Sequence, residues 1–413
     1  MTRSCIIFLM LVLLCSCTRK IEVFRVSSTE QIKRSSDIEE SVRCTSVEAY
    51  IPDSNFYTQH IRVNVHFMDD EKGDKNFSLK EGRTFMKYLI NNANERLWKN
   101  KKMNLPEGNN TQNLHPRYQY KVVGVNDKEG DDGFYKHHDN ELYYFIGKGR
   151  YRNNYHKDVI RKYSIASDSV LNIFVLPHHP DSVKSKTYKT TATGMALGTS
   201  LKMSGLLVRK DKPWECATLL NHEVGHILGL GHAWLKNDGC DDTPVHANCW
   251  QQTDSKPCDG VISNNMMDYN NSQMAITPCQ LGIVHKGFAR LNSKTRNLLI
   301  PQWCTLDTTK NIEIYGDESW NGARDLKHNI IVKSTGTLKI SCRVSFPANG
   351  SIIVEPGGEL ILNGARLHND CGDHWNGIFL QKKGKQEGLV LSTNNTTIEN
   401  VFPEIEGIKL THH

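Results

Sequence analysis

From Ile61 to Phe67 the chain alternates hydrophobic and polar side chains. Ile61, Val63, Val65 and Phe67 fall on one side, which predicts a half-buried strand. Ser78-Leu79-Lys80-Glu81 then reads as a capping box, with hydroxyl and carboxylate each satisfying an orphan backbone N–H. The helix it opens keeps Phe85, Met86, Leu89, Ile90, Ala93 and Leu97 on one face. Tyr118, Tyr120 and Val122 alternate as a second strand, and Leu142 to Ile146 reads as a third. Val170 to Leu176 is almost continuously apolar and stops at Pro177, which predicts a buried strand. Thr193 to Leu201 contains Gly194 and Gly198 and reads as a more exposed strand. A second helix is predicted from about Asp211, with Pro213 in its first turn. This order predicts an α+β unit, a mixed sheet backed by two long helices.

The pattern changes after Cys304. Ile331 to Ile340 recurs loosely as Ile353 to Leu362, an offset of 22 residues, and Gly377-Ile378-Phe379-Leu380 falls near the next interval. Strands and a Gly turn at that period fit coils of a parallel β-helix. A small β-sandwich with similar hairpins is the other reading. The expected organisation is an α+β unit over residues 46–305 and an all-β unit over 306–413. Residues 18–45 are polar with little periodicity and read as a tether or short pro-segment.

Composition narrows the class. The chain has 413 residues, enough for two folded units, and 38% hydrophobic with 23% charged residues is a globular balance. The net charge of +6 is spread along the chain without a dense basic run, so no nucleic-acid partner is expected. Arg3, the short apolar run Ile6–Leu14 and the small residues after it form a secretory signal over residues 1–17. Leu14-Cys15-Ser16-Cys17 also resembles a bacterial lipobox, in which Cys17 would carry a lipid; an ordinary cleaved signal is the alternative. Apart from that lipid no membrane contact is expected, and the exported chain is expected to be a monomer. Nine cysteines remain beyond the signal, so disulfides are expected with at least one odd thiol.

The chemistry concentrates in Asn221-His222-Glu223-Val224-Gly225-His226-Ile227-Leu228-Gly229-Leu230-Gly231-His232. His222 and His226, four apart on a helix, turn both imidazoles to one face, where they can share a metal. Glu223 sits beside the first ligand, placed to hold a water without ligating the metal. His232 reaches the same ion only if the chain reverses sharply, and Gly229 supplies that by ending the helix with positive φ. Three protein ligands leave the fourth position of a zinc ion open, as in catalytic rather than structural sites. The strand around Thr193–Leu201 is a plausible clamp for an extended peptide, added through backbone bonds.

The H-E-x-x-H-x-x-G-x-x-H pattern resembles that of the metzincin metallopeptidases. The turn Asn265-Met266-Met267-Asp268-Tyr269 looks like the family's Met-turn. The resemblance implies Met267 as the apolar floor beneath the metal and Tyr269 as a residue steadying the tetrahedral intermediate. Asp241-Asp242-Thr243-Pro244, the cysteines around it and the form of the Met-turn resemble the pappalysin group, over about residues 46–305. That implies a zinc endopeptidase with Glu223 as general base and a protein or peptide substrate. It raises a Ca²⁺ site to which Asp242 and Thr243 could contribute, turn-capping being their alternative role. It also implies the pairs Cys240–Cys258 and Cys249–Cys279. A Cys342–Cys371 bridge is expected within the β unit. Cys44 has two readings: a latency thiol on the metal, weakly resembling that of some metzincins, or a disulfide to Cys216 or Cys304. A surface adhesion protein in which the β unit is the main functional part is the competing function.

Overall fold

The computed structural model describes residues 21–34, 44–124, 130–188, 191–270, 272–393 and 395–403. The signal segment with Cys17 lies outside them. The first two strands, β1 (Ile21–Val26) and β2 (Lys33–Arg34), belong to the unit at the far end of the chain. β1 runs antiparallel to residues 378–383, and β2 runs parallel beside Leu391 and Ser392. The expectation of a tether over residues 18–45 is therefore corrected for 21–34, where the alternation is too short to read from sequence.

The α+β unit begins with β3 (Gln59–Asp69) and α1 (Leu79–Trp98), followed by β4 (Tyr118–Val122), β5 (Phe134–His138), β6 (Leu171–Leu176), β7 (Thr193–Leu197) and β8 (Ser200–Ser204). The long β3 pairs in parallel with β4 along its first half and β5 along its second. The sheet runs β4-β3-β6-β8-β7, and only β7 is antiparallel to its neighbour, at the sheet's edge. Ser78 caps α1 through the expected capping box, and the helix buries Phe85, Met86, Leu89, Ile90, Ala93 and Leu97 against the sheet. Two long helices complete the unit: α2 (Ala217–Ile227), entered through a 3₁₀ turn at Pro213–Cys216, and α3 (Pro278–Ala289).

Four expectations change here. Thr193–Leu201 is a hairpin of β7 and β8, its turn at Gly198 with φ +77°. Leu142–Ile146 makes only a single bridge, Phe145 to His178; its rings instead bury in a satellite core with Val159, Phe174 and Leu176. The third strand is β5, whose Phe-Tyr-Lys-His-His carries no alternation. The third long helix, α3, also lay outside the reading, although Thr277-Pro278-Cys279-Gln280 is a complete capping box with proline at the first position.

Beyond Cys304 the chain winds into a coil of parallel strands on three faces, the arrangement of a parallel β-helix. The offset of the repeat is its register: Ile331 pairs with Ile353 and Leu338 with Leu360. Ile330, Val332, Ile352, Val354, Leu338 and Leu360 point inward and stack into a separate core. The two units meet through Arg296, which pairs with Asp325 and Asp370, while Arg343 closes on the same Asp325. Disulfides Cys44–Cys342 and Cys304–Cys371 cross the junction.

Candidate metal and catalytic site

α2 forms because Ala217 to Ile227 is a run of helix-compatible residues, of which Ala217, Leu220 and Val224 face the core. Its end is a Schellman motif. Gly229 N–H donates to the His226 carbonyl at 3.1 Å, Leu230 N–H reaches the Gly225 carbonyl at 2.9 Å, and Gly229 holds φ +98°. The reversal brings His232 back to the face that carries His222 and His226.

The three imidazoles converge by their Nε2 atoms. His226 Nε2 lies 3.2 Å from His222 Nε2 and 3.1 Å from His232 Nε2. On the other edge of the rings, His222 Nδ1 is 2.9 Å from the Met266 carbonyl and His226 Nδ1 2.9 Å from the Leu230 carbonyl. A carbonyl only accepts, so both Nδ1 atoms carry the proton and the facing Nε2 atoms are bare lone pairs. Lone pairs this close repel unless a cation lies between them. Nitrogens bound to zinc at about 2.1 Å in tetrahedral geometry stand about 3.4 Å apart, so the donor set fits that ion. Burial, with mutual proximity second, lowers the His232 pKa to about 4. Burial also lowers His222 to about 4 and moves His226 the same way, so all three rings are neutral at pH 7, as ligation requires.

Glu223 packs against β7. Its Oε2 accepts the Ala196 N–H at 2.9 Å, and burial pushes its carboxyl up to about 7 against that bond. β7 passes so close that a Cβ on Gly194 would stand 2.7 Å from Glu223 Cδ. Beneath α2, Met267 is fully buried, and a Cβ on Gly225 would meet its Sδ at 2.5 Å. Tyr269 stands at the mouth, 54% exposed, its ring 4.9 Å from His232 and 5.6 Å from His222.

Several residues were missed. Trp234 stacks on His232 at 4.1 Å with an interplanar angle of 12°, and Trp250 adjoins both Trp234 and Tyr269. Asp268 is buried behind the turn with Ser263 and His246. Gln273 donates to the Met266 and Asp268 carbonyls and so pins the turn. The sequence signal for Gly225 was its small size within the histidine helix, and for Gly194 its place in the strand expected to take a peptide; for the tryptophans there was none.

The disulfide expectations fail. The bridges are Cys240–Cys279 and Cys249–Cys258, not Cys240–Cys258 and Cys249–Cys279. Asp242 explains the first: its carboxylate accepts Thr277 Oγ1 at 2.7 Å and the Cys279 N–H at 3.0 Å, laying Cys240 against the start of α3. Both Asp242 oxygens thus accept capping bonds, and Thr243 bonds Asp238 and the Cys240 carbonyl, the turn-capping role that was the alternative for these two residues. Cys240, Asp242 and Cys279 cluster, but the two sulfurs are joined and offer no thiolate. Cys44 pairs with Cys342, so it is neither a latency thiol nor bonded to Cys216 or Cys304, and Cys371 pairs with Cys304 rather than Cys342. The odd thiol is Cys216, buried where α2 begins, with a pKa raised to about 11 by burial.

No protein-family profile matches the sequence. An extracellular metalloprotease of Arthroderma otae is 32% identical over 120 residues, an alignment covering 25% of this chain and 44% of that protein. The chain thus spans less than half the length of that relative. Among solved structures, mature mirolysin of Tannerella forsythia in complex with a cleaved peptide aligns at 16% identity, covering 60% of this chain and 97% of that one, with a TM-score of 0.39. Mirolysin in complex with compound 9 aligns at 15% identity over 59% and 97%, with a TM-score of 0.42. No helix among the described residues is long and apolar enough to cross a membrane.

Proposed function

We propose that the chain is an exported, metzincin-type zinc endopeptidase. The observation that carries this reading is the convergence of three imidazole Nε2 atoms, two of them held bare by their Nδ1–carbonyl bonds, near a buried carboxylate that abuts the edge strand of a sheet. The local likeness to an extracellular metalloprotease supports it, as do the zinc helix and the Asn-Met-Met-Asp-Tyr turn.

His222, His226 and His232 would hold the ion, which when bound supplies Lewis acidity toward the scissile carbonyl and lowers the pKa of water to about 7. Glu223 takes the proton of the attacking water and passes it to the leaving amine. Its bond from Ala196 fixes which oxygen faces the water. Tyr269, held against His232 and Trp234, turns its hydroxyl toward the developing oxyanion. The outer edge of β7 aligns the peptide. Met267 and Gln273 keep the turn under the ligands. No serine or cysteine nucleophile is required; Cys216 is buried and protonated.

The test is Glu223→Ala in the purified full chain. Zinc content and circular dichroism stay as in wild type, while chelator-sensitive cleavage of a denatured protein falls by at least about 100-fold. A variant that cleaves at the wild-type rate removes the mechanism.

A further inference from the structure

The face of β7 turned away from Glu223 opens on a second feature. Gly194 and Ala196 lie against Glu223, whereas Thr193 and Met195 line a cleft of about 900 Å³ formed with the segments 144–154 and 178–188 and with Thr191. Successive residues of a strand point to opposite faces, and so do those of a peptide added to its edge. A peptide lying on β7 with its scissile bond near Glu223 therefore presents every second side chain to the cleft.

The lining has a defined chemistry. Lys148 and Arg150 are exposed at the cleft, and neither has a carboxylate partner among the described residues. Asp181 is the one carboxylate in the lining, and it lies within 3.9 Å of His179 and 3.7 Å of Lys184. Two cations without a carboxylate partner suit a ligand carboxylate.

We propose that this cleft is a specificity subsite for an acidic side chain of the peptide substrate. The inference rests on the peptidase reading above, and its test separates the two. Two fluorescein-labelled peptides, identical except for Glu or Lys at alternate positions around one bond, are titrated into the zinc-loaded full-length Glu223→Ala protein by anisotropy. The unlabelled pair is offered to wild type. Binding should favour the Glu peptide at least tenfold, cleavage should show the same ratio in kcat/KM, and Lys148→Glu/Arg150→Glu should bring both ratios to about one or reverse them. Glu-selective binding that depends on Lys148 and Arg150, without any cleavage by wild type, would uphold the subsite and defeat the peptidase reading. Cleavage without acidic preference, or a preference that survives the double variant, would overturn the subsite and leave the peptidase reading standing.

Discussion

A methyl group at position 194 has nowhere to go. It would meet the Glu223 carboxylate, and the side chain would have to leave the Ala196 N–H that fixes it. Gly194→Ala should therefore keep its zinc and lose about 100-fold in kcat/KM, since a displacement near 1 Å of a catalytic group carries that penalty. Metal analysis together with steady-state kinetics checks it, and unchanged kinetics would refute the contact. Gly225→Ala acts through packing instead. Its Cβ would press on the Met267 sulfur, so stability should fall by about 1–3 kcal/mol in chemical denaturation. At this scale the convergence of His222, His226 and His232 was legible in the sequence, because a spacing of four puts the first two on one face and Gly229 supplies the turn to the third. The smallness of the two glycines was visible too, but what it made room for was not.

At the scale of elements, the end of α2 and the start of α3 decide the geometry. Gly229→Ala forces alanine into φ +98° and should cost about 1–2 kcal/mol. It should also weaken zinc binding in competition titrations, because His232 follows that reversal. On α3, His285 is fully buried, its Nε2–H bonded to the Pro116 carbonyl at 2.8 Å and its Nδ1 without a partner. Burial lowers its pKa to about 4, below the unfolded value of 6.5. The unfolded chain thus binds more protons between those values, and stability present above pH 6.5 is lost as pH falls toward 4. The loss is on the order of 3 kcal/mol from this residue. His66 and His137, lowered to about 3 and about 4 by burial, pull in the same direction. His285→Gln, which keeps a donor, should flatten the wild-type slope between pH 6.5 and 4 in denaturant titrations. Periodicity revealed α1, β3, β4 and β6, and the 22-residue offset gave the register of the coil. It failed at β5 and at Leu142–Ile146, where aromatic burial in a loop imitates a strand. The disulfide pairing was illegible because Asp242 chooses it by capping a helix 35 residues downstream.

The whole molecule is held at its junction by charge as much as by sulfur. Burial alone would raise the Asp325 pKa, but Arg343 and Arg296 on either side hold it below the usual carboxylate value. Asp325→Ala leaves the half-buried Arg343 without its carboxylate and the buried Arg296 with Asp370 alone, and should cost about 3 kcal/mol, read as a lower midpoint in denaturation of the oxidised full chain. The β1 strand has a different bearing on the molecule. It lies along residues 378–383, and Arg25 adds bonds to the Asn376 and Phe402 carbonyls. One edge of the coil is thus sealed by a strand that precedes the α+β unit in sequence, against strands that follow it. Val26 and its partner Ile378 are separated by more than three hundred residues, so this contact closes a very long loop and belongs among the slow, late ones. Until it closes, the backbone groups of residues 378–383 stand open as an unpaired edge, on which the matching strand of a second copy could settle instead.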